Sequence, residues 1–126
     1  MPLVRISLRK GKTQEYRRAI AAHVYEALRE AFKVPDEDRF VLVDEYEGTD
    51  FIYSPSYLGI TRDDDLVIIQ ITANNTRTLD QKKALYAAIA ERLAKDPGIR
   101  PENVLISLVE VAKENWSFGN GVAQYA

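Results

Sequence analysis

Residues 66–81 have the sequence LVIIQITANNTRTLDQ, and this stretch decides the fold. Its first eight residues, 66–73, form a nearly continuous apolar run, which is typical of a central strand covered on both faces. Thr78 and Gln81 lie three residues apart, which is the spacing of a capping box at the start of a helix. The stretch therefore predicts a buried strand that passes through a short loop into a helix.

The same order of elements occurs earlier in the chain, at an offset of 65 residues. Residues 2–45 align with residues 67–110 without a gap, and eight of the aligned pairs are identical, including Thr13 with Thr78. Each half has a short apolar strand, a threonine, a long helical stretch, a proline-containing turn and a second strand. We interpret the two halves as duplicated β-α-β units.

The elements of each unit follow from local patterns. Residues 4–8 alternate between apolar and polar side chains, which predicts a strand with one buried face. A helix with one apolar face follows Thr13 and ends before Pro35, because the residue preceding a proline disfavours the α conformation. Residues 40–45 and 104–111 predict the second and fourth strands.

These units predict an α+β fold in one domain, residues 1–126, with a C-terminal arm at 112–126. Right-handed crossovers give a four-stranded mixed sheet with both helices on one face. The other face would expose Leu3, Ile68 and Leu105, and an apolar face of this kind is unfavourable in water. We therefore expect copies of the chain to associate through their sheets.

Composition excludes several classes of site. The chain has 126 residues, a net charge of −2, no cysteine and one histidine, His23. It therefore has no disulfide, no thiol nucleophile and no multi-histidine metal cluster, and we expect no metal site. A weakly acidic chain is a poor partner for nucleic acid. Without a long apolar run or a basic-then-apolar leader, we expect a soluble, cytoplasmic protein with no membrane partner.

Pro2 directly follows Met1 and is the strongest candidate for a catalytic residue. If Met1 is removed, Pro2 becomes an N-terminal secondary amine. An α-amino group has a pKa of about 7.7–8.0, so modest changes in its surroundings make it an acid or a base at neutral pH. The simpler interpretation is a proline at a chain start without a chemical role.

Arg77 stands one residue before the predicted helix cap at Thr78. A cation there opposes the helix macrodipole, so it does not stabilise the helix. Together with the free N–H groups of the helix it suits a carboxylate ligand. The alternative is a solvated loop residue like Lys12, which occupies the equivalent position in the first half.

Further stretches match a known family. They are Pro2-Leu3, the segment AFKVPDEDRF at 31–40, Leu58-Gly59, the loop containing Arg77 and the segment WSFGNG at 116–121. On these residues the chain resembles the tautomerase superfamily, and most of all the malonate semialdehyde decarboxylases, over essentially its whole length. The resemblance implies a trimer of two-unit subunits, catalysis by the N-terminal proline and no cofactor.

The resemblance also implies roles for individual residues. Asp38 becomes the carboxylate that activates water or tunes Pro2, although aspartate also suits turns. The family's better-known decarboxylase has two arginines before its second helix, whereas residues 73–77 here are ANNTR and contain one. Asn74 and Asn75 stand where the other arginine would be, and we expect them to bind the substrate. Trp116 and Phe118 would form an apolar side of the site, or alternatively an arm that packs on a neighbouring subunit.

Two reactions of a small, carboxylate-bearing oxo-acid substrate are possible, and the presence of Asp38 near Pro2 decides between them. A nearby carboxylate raises the pKa of the Pro2 amine and makes it a general acid, which suits a lyase that decarboxylates a small 3-oxo acid and has a hydratase side activity. Without that carboxylate, Pro2 is a base for keto–enol tautomerisation of 2-oxo acids such as phenylpyruvate. An imine between Pro2 and the substrate is a further route to decarboxylation. A non-catalytic trimeric scaffold is the third hypothesis.

Overall fold

The computed structural model describes residues 2–126, so the question of whether Met1 is removed lies outside the described residues. Strands and helices alternate as two β-α-β units, in line with the predicted α+β class. The strands and helices, in chain order, are β1 (Leu3–Arg9), α1 (Gln14–Phe32), β2 (Val41–Tyr46), β3 (Val67–Asn74), α2 (Leu79–Lys95) and β4 (Val104–Val111).

The four strands form one mixed sheet in the order β2-β1-β3-β4. Within each unit the strands are parallel, β1 with β2 and β3 with β4, whereas the two central strands β1 and β3 are antiparallel. The predicted four-stranded mixed sheet is confirmed, whereas the order of its strands was not predicted. A helix connects the strands of each unit because parallel neighbours need a crossover connection.

Both helices begin at a threonine cap. The hydroxyl of Thr13 accepts a hydrogen bond from the backbone N–H of Tyr16 at 3.1 Å. At α2 the predicted capping box is present: Gln81 donates its backbone N–H to the Thr78 hydroxyl at 3.2 Å, and Thr78 donates its own to the Gln81 side chain at 2.9 Å. α1 ends at Phe32, where Lys33 adopts a left-handed conformation, two residues before Pro35.

The predicted starts of β2 and β3 were each one residue too early. Phe40 precedes β2, and its carbonyl accepts a hydrogen bond from Val4 at 3.0 Å. Leu66 precedes β3, and its backbone N–H donates a hydrogen bond to the carbonyl of Asp63 at 3.1 Å in a turn. Its side chain is nevertheless buried. Hydrophobicity predicted the burial of Leu66, and the pairing register decides where the strand begins.

The helices cover one face of the sheet and form the core with it. The buried side chains include Ile6, Ile69 and Ile71 from the central strands and Ile20, Val24, Leu28, Leu85, Ile89 and Leu93 from the helices. The opposite face is open: Leu3, Leu105 and Val109 are 39%, 37% and 46% exposed. The predicted exposure of Leu3 and Leu105 is confirmed.

The topology brings several chain segments to one end of the sheet. Because β1 and β3 are antiparallel, β1 begins where β3 and β4 end. α1 also ends at this end of the sheet and α2 begins there, since each helix runs antiparallel to the strands of its own unit. We call it the Pro2 end, because residue 2 lies there.

Candidate active site

Pro2 is buried directly before β1, between two neighbouring segments. On one side, Leu3 pairs with Thr72 of β3, so residue 2 lies beside the end of that strand. On the other side, the N–H of Val4 donates to the carbonyl of Phe40, so residue 2 lies beside the segment that leads into β2. The register therefore places Pro2 next to the segment that contains Asp38.

Asp38 is half-buried in the segment between α1 and β2. Its backbone N–H closes a turn onto the carbonyl of Pro35 at 3.1 Å. The turn is attached to α1 by two contacts of Asp36: its carbonyl accepts a hydrogen bond from the Tyr25 hydroxyl, and its carboxylate pairs with Arg29. Tyr25 is 6% exposed. No sequence motif singled it out, although it stands on the apolar face of the helix.

Arg77 lies across the C-terminal end of α1. Its Nη2 donates to the carbonyl of Phe32 at 3.1 Å, and its guanidinium carbon stands 4.8 Å from the centre of the Phe32 ring. A longer contact of 3.5 Å joins Nη1 to the hydroxyl of Thr76. These partners are neutral, and no carboxylate of residues 2–126 forms a salt bridge with the guanidinium. Lys12, at the equivalent position of the first unit, instead pairs with Asp65 at 2.6 Å.

The two asparagines before Arg77 have different surroundings. Asn74, the last residue of β3, is 7% exposed, and its amide oxygen accepts a hydrogen bond from the indole N–H of Trp116 at 2.8 Å. Asn75 is exposed, and its backbone N–H donates to the carbonyl of Val111 at 3.0 Å. The Asn75 side chain is therefore the one presented to solvent beside Arg77.

The C-terminal arm places three aromatic rings together, and we call Trp116, Phe118 and Tyr125 the aromatic cluster. The rings of Trp116 and Phe118 are stacked with centres 5.5 Å apart, and Tyr125 meets Phe118 edge-on at 5.0 Å. Gln124 closes the arm on itself, since its side chain bonds the N–H of Phe118 at 2.9 Å and the carbonyl of Gly119 at 3.1 Å.

Part of the aromatic cluster lines a pocket at the Pro2 end. The pocket has a volume of about 280 Å³ and is lined by Pro35, Glu37, Asp38, Phe40, Phe118 and Tyr125. Of the residues predicted from sequence, it contains Asp38 and Phe118. Pro2, Arg77, the two asparagines and Trp116 lie at the same end of the sheet but do not line this pocket.

Two further ionisable side chains, His23 and Asp63, have structural partners. His23 pairs with Asp96 at 2.9 Å, at the C-terminal end of α2. Asp63, before β3, accepts hydrogen bonds from the backbone N–H of Asp65 and from the buried amide of Asn103, and these two bonds lower the pKa of its carboxyl. Within residues 2–126, no group of three metal-binding side chains converges, and no helix is long and apolar enough to cross a membrane.

Comparison with known proteins places these features in a family. One tautomerase enzyme family matches residues 2–59 and a second matches residues 38–119. The probable tautomerase YusQ of Bacillus subtilis strain 168 is 40% identical over 124 residues, 98% of each chain. The crystal structure of FG41 malonate semialdehyde decarboxylase inhibited by 3-bromopropiolate is 39% identical, with a TM-score of 0.91 over 98% of this chain and 93% of that one.

A second solved structure is more distant in sequence but equally similar in shape. It is a malonate semialdehyde decarboxylase studied in wild-type, proline-to-alanine mutant and inactivated forms to explain its decarboxylase and hydratase activities. It is 28% identical to this chain, with a TM-score of 0.91 over 98% of this chain and 95% of the other.

Proposed function

This chain belongs to the tautomerase family of enzymes, and we propose that it is a cofactor-free lyase that decarboxylates a small 3-oxo acid. Membership of an enzyme family argues against the scaffold hypothesis. The observation that carries the proposal is the position of Pro2. It is buried between the segment of Asp38 and the end of β3, at the same end of the sheet as the guanidinium of Arg77.

Arg77 binds the substrate carboxylate in this proposal. A guanidinium has five N–H donors in a planar fork, and two of them contact Phe32 and Thr76. The remaining donors are available for a carboxylate, which also benefits from the free N–H groups at the start of α2. Asn75, exposed in the same loop, offers its amide to that carboxylate.

Pro2 acts as the general acid. Asp38 keeps the Pro2 amine in its charged form, because a nearby negative charge raises the pKa of an amine. As the bond between C2 and the carboxylate carbon breaks, its electron pair forms a C2–C3 double bond, and the carbonyl oxygen takes the proton from Pro2. CO₂ leaves, and the enol returns the proton to Pro2 while C2 is protonated from water. In the hydratase side activity, Asp38 positions the attacking water.

Keto–enol tautomerisation of a 2-oxo acid such as phenylpyruvate is the second proposed function. Two observations favour it: YusQ is described as a probable tautomerase, and Pro2 is buried at the same end of the sheet as the apolar side chains of Phe40, Phe118 and Tyr125. Apolar surroundings lower the pKa of an amine because they disfavour its charged form. Pro2 would then be a base that moves a proton from C3 of the substrate to its oxygen.

We also propose a homotrimer built through the open face of the sheet. Leu3, Leu42, Leu105 and Val109 are all more than one third exposed on this face, and burial in an assembly removes that apolar surface from water. The resemblance to trimeric tautomerases supports the same assembly. A cytoplasmic location and an origin by duplication of residues 2–45 and 67–110 stay predictions.

The amine is tested first by intact mass, because a chain that retains Met1 has no free Pro2 nitrogen. Decarboxylation of malonate semialdehyde and ketonisation of enol-phenylpyruvate are then compared in wild-type, Pro2→Ala and Pro101→Ala proteins. Pro101 is an exposed proline before β4 and serves as the control. We expect Pro2→Ala to lose most activity and Pro101→Ala to keep it. Full turnover by Pro2→Ala, or a retained Met1 in active protein, would contradict both functions.

The pH–rate profile separates the two functions. A general acid loses activity as the pH rises above its pKa, whereas a general base gains activity as the pH rises through its pKa. The lyase proposal therefore expects kcat/KM to fall at high pH, and the tautomerase proposal expects it to rise from low pH.

A further inference from the structure

Asn74 has one contact that a substrate-binding asparagine does not need. Its amide oxygen accepts a hydrogen bond from the indole N–H of Trp116 at 2.8 Å. Asn74 is only 7% exposed. An indole nitrogen is a donor only, so the oxygen and not the nitrogen of the amide must face it. A buried hydrogen bond of this kind is costly to break, because the partner left behind stays desolvated.

The bond joins the sheet to the C-terminal arm at the Pro2 end. Asn74 is the last residue of β3, and the register places that end of the strand beside Pro2. Trp116 is stacked on Phe118, which in turn meets Tyr125 edge-on. Phe118 and Tyr125 line the pocket that contains Asp38. The Asn74–Trp116 bond therefore sets where the aromatic cluster stands relative to the catalytic end of β1.

The arm itself is organised independently of the sheet. The Gln124 side chain bonds the N–H of Phe118 and the carbonyl of Gly119, so residues 118–124 are closed into a loop by their own hydrogen bonds. Such a unit is displaced as a whole when its attachment changes. Asn74 is thus placed to control the position of the unit without contributing to its internal order.

We propose that Asn74 is a positioning residue that acts through Trp116 to hold the aromatic cluster against the active site. The proposal rests on the proposed function of that site. It assigns Asn74 to the orientation of the apolar side of the site rather than to contact with the substrate carboxylate, which belongs to Arg77 and Asn75.

Trp116 is the only tryptophan of the chain, so tryptophan fluorescence reports on the surroundings of this one indole. We expect Asn74→Ala to increase quenching of Trp116 by acrylamide, because the indole loses its buried partner. Asn74→Asp keeps an oxygen acceptor at the same place and should restore wild-type quenching. Asn115→Ala, an exposed asparagine next to Trp116, is the matched control and should change nothing.

Kinetics then distinguish positioning from the other roles. We expect Asn74→Ala to lower kcat/KM by about 2- to 10-fold, the factor that corresponds to one neutral hydrogen bond. Trp116→Phe keeps an aromatic ring but removes the donor. The Asn74→Ala/Trp116→Phe double variant should fall no further than the larger single effect, because both changes break the same bond.

Each other outcome overturns the proposal. Additive effects with unchanged quenching would make Asn74 a direct substrate contact. A lower urea midpoint with wild-type kcat/KM would make the bond purely structural. If the wild-type protein turns over neither malonate semialdehyde nor phenylpyruvate, the proposed function fails, and unchanged Trp116 quenching in Asn74→Ala would show separately that the bond does not hold the arm.

Discussion

Replacing Arg77 with alanine removes a hydrogen bond to the last carbonyl of α1 and, in the proposed function, the ligand for the substrate carboxylate. The guanidinium donates to the carbonyl of Phe32 at 3.1 Å and lies over its ring at 4.8 Å. These contacts contribute to folding, whereas the proposed function assigns the remaining N–H donors to the substrate carboxylate. The loss of substrate binding and the loss of the contacts with Phe32 have separate magnitudes.

The two parts differ in size and in assay. A hydrogen bond to a charged group contributes about 1.5–3 kcal/mol, which converts to a loss of about 10- to 150-fold in kcat/KM. For folding, the half-buried contacts with Phe32 should contribute about 1–2 kcal/mol. In a chain of 126 residues this lowers Tm by about 3–8 °C. Arg77→Lys keeps the charge but not the fork, so it should recover part of the activity.

Lys12→Ala is the matched control, because Lys12 also stands one residue before a helix cap. Its ion pair with Asp65 is exposed to solvent, so its loss should change stability by about 0–1 kcal/mol and leave kcat/KM unchanged. The assays are steady-state decarboxylation of malonate semialdehyde and thermal unfolding. If Arg77→Ala lowers Tm but lowers kcat/KM no more than Lys12→Ala does, Arg77 is only a cap on α1 and the carboxylate site is refuted.

Three further predictions concern the fold and the assembly. Asn103→Ala should move the pKa of Asp63 up toward its ordinary value in an NMR titration. A carboxyl with a lowered pKa stabilises the folded state above about pH 4. The difference in free energy of unfolding between the wild type and Asn103→Ala, measured in urea, should therefore shrink as the pH falls below about 4. A difference that does not change with pH would contradict this. Thr78→Ala should lower the free energy of unfolding by about 0.5–2 kcal/mol, with Thr78→Ser close to wild type; equal loss in both would exclude the hydroxyl as the cause. Leu105→Glu should dissociate the proposed trimer in sedimentation velocity, whereas Lys83→Glu on α2 should not, and a monomeric wild-type protein would refute the trimer.

Local patterns in the sequence were sufficient for the order of elements and for the ends of the helices. The hydroxyl of Thr78 and the side chain of Gln81 satisfy backbone groups only three residues apart, so the capping box depends on nothing distant. α1 ends before Pro35, as predicted, with a left-handed residue at Lys33. The starts of β2 and β3 were less certain because strand ends depend on pairing with β1, which joins residues far apart in sequence.

The predicted site residues are a different case. Pro2 was chosen for its position directly after Met1, Arg77 for its position before a helix cap, and Asp38 from the family resemblance, and their roles stay predictions. The contact of Arg77 with the carbonyl of Phe32 and the bond from Trp116 to Asn74 were not predictable. Each joins residues more than 40 positions apart, and no local pattern encodes such a pair.

The sequence by itself determined the two β-α-β units, the helix caps and the apolar stripe of each element, because hydrogen-bond spacing and burial depend on neighbours along the chain. Only the tertiary structure decided which segments meet. The antiparallel pairing of β1 with β3 brings residue 2, the end of α1 and the arginine loop to one edge of the sheet. That proximity comes from the packing of the two units against each other, a contact that neither unit specifies alone.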